Sequence, residues 1–169
     1  RAGDLVPAKS TAGTKKPGDK NANRRAVNRP NQTLLIDFAQ SEGKIGDPTV
    51  RQDLMRLHTL NVVGGLNAQR LKGMRSAGKD IPGMANISKL MMSDVVRLSR
   101  DLGLGILGAA GTLHAYTAEQ RESLNAATGN PLLGMIPGQA LYAQAPPIYG
   151  GTDQIQKNII GERVLGLPK

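Results

Sequence analysis

Apolar positions recur at helical spacing along most of the chain, in runs separated by Gly, Pro, Asp and Asn. Leu34, Leu35, Phe38 and Ala39 mark one face of a short helix that starts at about Pro30 and ends near Gly43. Asp47 before Pro48 predicts a second start, because Asp caps free amides and Pro is tolerated in the first turn. The helix that follows runs to about Ala77 with Val50, Leu54, Leu57, Asn61, Gly64, Ala68 and Leu71 on one stripe. Gly64, Gly65 and Ala68 would let another helix approach closely, offsetting the about 1 kcal/mol that each glycine costs a helix.

Gly78-Lys79-Asp80-Ile81-Pro82-Gly83 reads as a turn. A third helix, from about Met84 to Leu107, carries Ile87, Leu90, Met91, Val95, Leu98, Leu102 and Ile106 on one face, with Met91 and Met92 as core filler. The pattern is weaker from 112 to 146, where Ala118–Ala127 fits a short helix, Gly129-Asn130-Pro131 a turn, and Gln139–Gln144 one or two further turns before Pro146-Pro147. Tyr149-Gly150-Gly151-Thr152 then predicts a tight turn into a last helix, with Thr152 as its cap and Asp153 favoured by its positive end. Ile155, Ile159 and Ile160 form the face that helix would bury, Lys157 and Glu162 stay in water, and Gly166 and Pro168 are stop signals.

Composition narrows the fold. The chain has 169 residues, enough for one domain with a substantial core, and its aromatics are three Tyr and one Phe. A core of Leu, Ile, Val, Met and Ala suits packed helices, so the expected class is all-α, an antiparallel helix bundle. The chain has no cysteine, which excludes disulfides, thiolate catalysis and cysteine-held metal from it. No apolar run approaches the roughly 20 residues that span a bilayer, and the expected location is cytoplasmic. His58 lies beside the stripe of the second helix without a Ser or carboxylate partner at readable spacing, and reads as a core or surface histidine.

The formal charge of +9 is unevenly spread. Residues 1–29 hold eight Lys/Arg and two Asp, whereas the other 140 hold 14 Lys/Arg and 11 Asp/Glu. Most of the excess therefore sits in a Gly-, Pro- and Lys-rich segment that reads as a flexible basic linker whose one apolar patch is Leu5-Val6-Pro7-Ala8. It lacks the interleaved aromatics that stack nucleic-acid bases, so nucleic acid is not the expected partner. Residues 30–169 are the helical domain. The polar start at Arg1 reads as that of a fragment.

The run Ile148-Tyr149-Gly150-Gly151-Thr152-Asp153-Gln154-Ile155-Gln156-Lys157, continuing as Asn158-Ile159-Ile160-Gly161-Glu162-Arg163-Val164-Leu165-Gly166-Leu167-Pro168, closely resembles the C-terminal signature of the acyl-CoA dehydrogenase family. The Asp47-Pro48-x-Val50-Arg51-Gln52 opening of the second helix and the Ser88-Lys89-Leu90 pattern of the third also resemble it. The resemblance implies the family's C-terminal α-helical bundle. Family members carry an N-terminal helical domain and a β-domain before that bundle, and neither lies within these 169 residues.

It further implies oxidation of an acyl-CoA to the α,β-unsaturated thioester, in fatty acid or lipid metabolism. FAD would be the cofactor, electron-transfer flavoprotein or a similar acceptor a partner, and a homo- or hetero-oligomer, dimer or tetramer, the assembly. Carried over by position, Gly151, Thr152 and Gln154 resemble the residues near the flavin, and Tyr149 and Gly150 those near the substrate, where the amide at 150 would bind the thioester oxygen. No metal site is implied.

At position 150 many relatives have the Glu that removes the α-proton, and glycine cannot do so. Either the base stands on an earlier helix, upstream of Arg1, or the chain is a catalytically silent subunit that completes a partner's site. No catalytic residue is therefore assigned. The family's Arg is missing near Ser41–Glu42, and its Gln and Phe are missing from the stretch Gly105–Ala109.

Overall fold

In a computed structural model the described residues are 31–79, 82–130 and 132–168, and they contain helices and turns with no strand. The linker reading of 1–29, together with Asp80, Ile81 and Pro131 of the predicted turns, lies outside them. The elements are α1 (Asn31–Ser41), α2 (Pro48–Ser76), α3 (Met84–Leu107), a 3₁₀ turn (Gly108–Thr112), α4 (Ala118–Thr128), α5 (Ile136–Tyr142) and α6 (Asp153–Arg163).

The helix boundaries follow local chemistry. Asp47 accepts from the amides of Thr49 at 2.8 Å and Val50 at 3.2 Å, which caps α2 as its sequence predicts. Thr117 and Gln120 form a reciprocal capping box at the start of α4. The fifth helix starts earlier than the Gln139–Gln144 reading, because Pro137 fits a first turn and the chain enters it from a tight turn at Asn130–Leu132.

The core joins α1, α2, α3 and α5. Leu35, Phe38 and Ala39 of α1 pack with Leu54 and Leu57 of α2 and with Leu102, Ile106 and Leu107 of α3, and Leu133 and Ile136 close the cluster. Lys44 ties the α1–α2 turn to the end of α3, donating to the carbonyls of Ile106 at 2.7 Å and Gly105 at 3.3 Å, two of the acceptors a helix end leaves free.

The second half of α2 departs from expectation. Only Leu54 and Leu57 of α2 are buried, Asn61 and Ala68 are exposed, and a Cβ on Gly65 would meet nothing within 4 Å. Gly64 faces the Met91 methyl group at ordinary contact distance, 3.7 Å from where its Cβ would stand. The glycines therefore do not mark a close helix crossing. Met91 is half-buried and takes a 3.4 Å contact from the Asn67 amide, while Met92 is exposed and is not core filler. His58 is an exposed histidine paired with Gln32 at 2.8 Å.

α3 is the hub of the fold, packing against α1, α2, α5 and α6. Its expected apolar face holds Leu102 and Ile106 at the core. A second stripe, Asn86, Lys89, Ser93 and Arg97, is polar and falls at the i, i+3, i+7, i+11 spacing of one helix side. α6 lies antiparallel along this stripe. Gly83 meets Val164 at one end of the pair and Arg97 meets Asp153 at the other.

Candidate functional site

The signature run forms a turn and the helix it feeds. Pro147 O accepts from the Asp153 amide at 3.1 Å and closes the loop that contains the two glycines. Both glycines have positive φ, +66° at Gly150 and +91° at Gly151, which side-chain-bearing residues rarely adopt. Thr152 caps α6 as expected, accepting from the Ile155 amide at 3.3 Å. Among the described residues, the amides of Gly150, Gly151 and Thr152 donate to no backbone carbonyl.

The face that α6 buries is not the predicted one. Ile155 is exposed, Ile159 and Ile160 are half-buried, and the buried residues of the helix are Asp153 and Gln156. A carboxylate taken out of water needs partners. Asp153 has three: Ser93 Oγ donates at 2.8 Å, Arg97 at 2.8 Å and Lys89 at 3.3 Å. Burial alone would push its carboxyl pKa up, but the hydrogen bonds from Arg97, Ser93 and Lys89 and the charge of Arg97 outweigh burial and hold it below the ordinary carboxyl value. Arg97 also pairs with Asp94 at 2.8 Å, and its hydrogen bonds to Asp94 and Asp153 raise its own pKa.

Gln156 is 3% exposed and lies under the turn. Its amide donates to the carbonyls of Gly150 at 2.8 Å and Gly151 at 3.3 Å, and its carbonyl accepts from Asn86 at 2.6 Å. A Cβ on Gly151 would stand 2.7 Å from the Gln156 amide nitrogen, so the second position must be glycine for the turn to close over that side chain. At Gly150 a Cβ would meet nothing within 4 Å, so that side of the turn is open.

The five sequence-predicted site residues thus lie together on one turn with different environments. Tyr149 is exposed, and its hydroxyl pairs at 2.9 Å with that of Tyr142, a contact that raises the Tyr149 pKa. Gly150 is exposed, Gly151 and Thr152 are half-buried, and Gln154 points its side chain to solvent. Sequence reasoning missed the group beneath them: Asp153, Gln156, Asn86, Lys89, Ser93 and Arg97. The signal was the polar stripe of α3, at the same spacing as its apolar one.

Open backbone amides at the start of a capped helix suit an anionic or carbonyl oxygen. Glycine on the outer side leaves room for a flat or extended ligand to approach the backbone. The residues present therefore fit the FAD and thioester that the resemblance implies at this turn. Among the described residues no group of three or more His, Asp or Glu is placed to hold a metal ion, and no helix is long and apolar enough to cross a membrane.

The profile of the family described as "Acyl-CoA dehydrogenase, C-terminal domain" matches residues 20–165, and the chain belongs to that family. Acyl-CoA dehydrogenase IpdE1 of Mycolicibacterium smegmatis is 32% identical over 136 residues, which are 80% of this chain and 30% of that protein. The Mycobacterium tuberculosis protein of the same name is 32% identical over 139 residues, 80% of this chain and 31% of it. The chain thus spans about a third of the length of these relatives. Among solved structures, the one named "Tcur3481-Tcur3483 steroid ACAD" aligns with a TM-score of 0.65 at 20% identity, over 82% of this chain and 33% of that one, and shares the helical fold.

Proposed function

We propose that this chain is the C-terminal bundle of a FAD-dependent acyl-CoA dehydrogenase and that its Tyr149–Gln154 turn forms part of the flavin and acyl-CoA site. The observation that carries this reading is the turn itself. In a member of this family, two positive-φ glycines present unbonded amides at the start of a capped helix, with open space outside Gly150.

In this reading Gly151, Thr152 and Gln154 lie against the cofactor, and Tyr149 and Gly150 against the thioester. The Gly150 amide donates to the thioester oxygen and stabilises the enolate that develops as the α-proton leaves. Bound FAD supplies the acceptor for hydride from the β-carbon. Electron-transfer flavoprotein or a similar acceptor would be the redox partner.

A second reading is favoured by one observation: nothing at the turn supplies a base. Position 150 is glycine, and the Asp153 carboxylate is buried against three donors. The chain would then be a silent subunit that completes the site of a different chain in a hetero-oligomer.

Purification of the whole gene product decides between them. Flavin absorbance that bleaches on addition of acyl-CoA, tested with straight-chain, branched and steroid-side-chain thioesters, supports the first reading. Protein without flavin that acquires it, with activity, only on co-expression with a second family chain supports the second. If neither preparation takes up FAD, both readings are wrong.

A further inference from the structure

We infer that Gln156, oriented by Asn86, is the positioning residue of the Gly150–Thr152 turn. It holds the turn's backbone in the one conformation that presents the amide at 150 to a thioester. The inference rests on the reading above that this turn faces the substrate.

Two adjacent glycines give the turn more backbone freedom than any other pair of residues would. An amide that stabilises a developing oxyanion must instead be held in place before the reaction. Gln156 supplies that restraint from underneath. Its amide group donates to the two carbonyls that follow the φ/ψ pairs of Gly150 and Gly151, at 2.8 and 3.3 Å. A peptide unit is planar and trans, so a carbonyl fixed inward directs its own N–H outward. The Gly151 and Thr152 amides are thereby aimed away from the bundle. The amide at 150 belongs to the preceding peptide unit, which Gln156 restrains through Gly150 from the C-terminal side while the Tyr149 amide, donating to Ala145 O at 3.0 Å, anchors it from the other.

The side chain has one workable orientation. Reversed, its oxygen would face two carbonyl oxygens. Asn86 enforces the choice by donating to that oxygen at 2.6 Å. Both hydrogens of the Gln156 amide and one lone pair are then used, which accounts for its near-complete burial.

Asn86→Asp is the informative variant because it keeps shape while removing the donor. A carboxylate at 86 draws the Gln156 amide group toward itself, since hydrogen bonds to charge are the stronger ones. The two turn carbonyls then lose their donor. Gln156→Glu, which keeps length but cannot donate to the carbonyls when ionised, is the second variant.

The test uses the whole flavin-loaded protein, or its complex if a second chain is needed. Acetoacetyl-CoA, whose bound pKa as an enolate is read from its absorbance, reports how well the turn stabilises that charge without any turnover. For Asn86→Asp the expected result is a rise of about one unit in that bound pKa, a loss of about tenfold in kcat and a KM changed by less than about threefold. Combining Asn86→Asp with Gln156→Leu should cost no more than the worse single change, as for residues acting through one contact.

An unchanged acetoacetyl-CoA pKa in folded, flavin-loaded Asn86→Asp and Gln156→Glu proteins overturns the inference, whatever happens to their thermal stability. So do losses that add in the double variant. Failure of the wild type to bind FAD or acetoacetyl-CoA would instead overturn the functional reading beneath it.

Discussion

Adjacent glycines in the turn are predicted to differ in what they tolerate. Gly151 has φ +91° and a buried amide nitrogen 2.7 Å from where a Cβ would go. Gly150 has φ +66° and open space. Gly150→Ala should therefore cost only the left-handed backbone penalty of about 1–2 kcal/mol. Gly151→Ala adds the displacement of Gln156 to a similar strain, for a total of about 2–4 kcal/mol. Urea unfolding midpoints of the two variants check the order, and an equal loss would show that Gln156 yields freely. Asp153 makes a second prediction. Its folded pKa is lowered, so its stabilisation is complete above the ordinary carboxyl pKa of about 3.9 and is lost as pH falls below that through the folded value. Asp153→Asn should flatten that acid limb of the stability–pH curve and cost about 1–3 kcal/mol at neutral pH, where Arg97 and Lys89 lose their shared anion. An acid limb as steep in the variant as in the wild type would assign the effect to other carboxylates.

The long helices were legible in the sequence because each announces its own ends. Asp47 with Pro48, and the glycines at 78 and 83, act within a few residues, and both ends of α2 and the start of α3 fall within a residue or two of where those signals place them. What each helix buries was less legible. On α3 the apolar face was readable, but Asn86, Lys89, Ser93 and Arg97 look like a solvated side until a complementary carboxylate from 153 is brought to them by the fold. On α6 the isoleucines were given the buried role, whereas Asp153 and Gln156 took it because the surface they meet is polar. Hydrophobicity alone cannot rank a satisfied buried polar group. The same contrast along α2 is testable. Leu57 is fully buried and Leu66 is 60% exposed. Leu57→Ala should cost about 2–5 kcal/mol and Leu66→Ala no more than about 0.5. Comparable losses at both positions would mean that the second half of α2 is covered in the protein as it occurs in solution.

At the scale of the whole molecule, the proposed acyl-CoA site has no side chain placed as a proton acceptor among the described residues of the Tyr149–Gln154 turn. Removing a proton next to a thioester requires a base whose pKa lies near the working pH and whose lone pair reaches the carbon. Asp153 adjoins the turn in sequence and meets neither condition. Its oxygens face α3, and Ser93, Lys89 and Arg97 hold its pKa below the ordinary range, which makes it a weaker base than a free carboxylate. Gly150 has no side chain, and the Tyr149 hydroxyl, with its pKa raised through Tyr142, stays protonated at neutral pH. The 169-residue chain expressed alone should therefore fold, since its core draws on α1, α2, α3 and α5, yet reduce no artificial electron acceptor with any acyl-CoA, even with FAD added. Activity should appear only in the whole gene product or with a second chain that brings a carboxylate to the substrate. Circular dichroism establishes the fold and a dye-reduction assay the activity. Turnover by the chain alone would show that a base exists within it and would make Asp153, the carboxylate beside the turn, the first position to substitute.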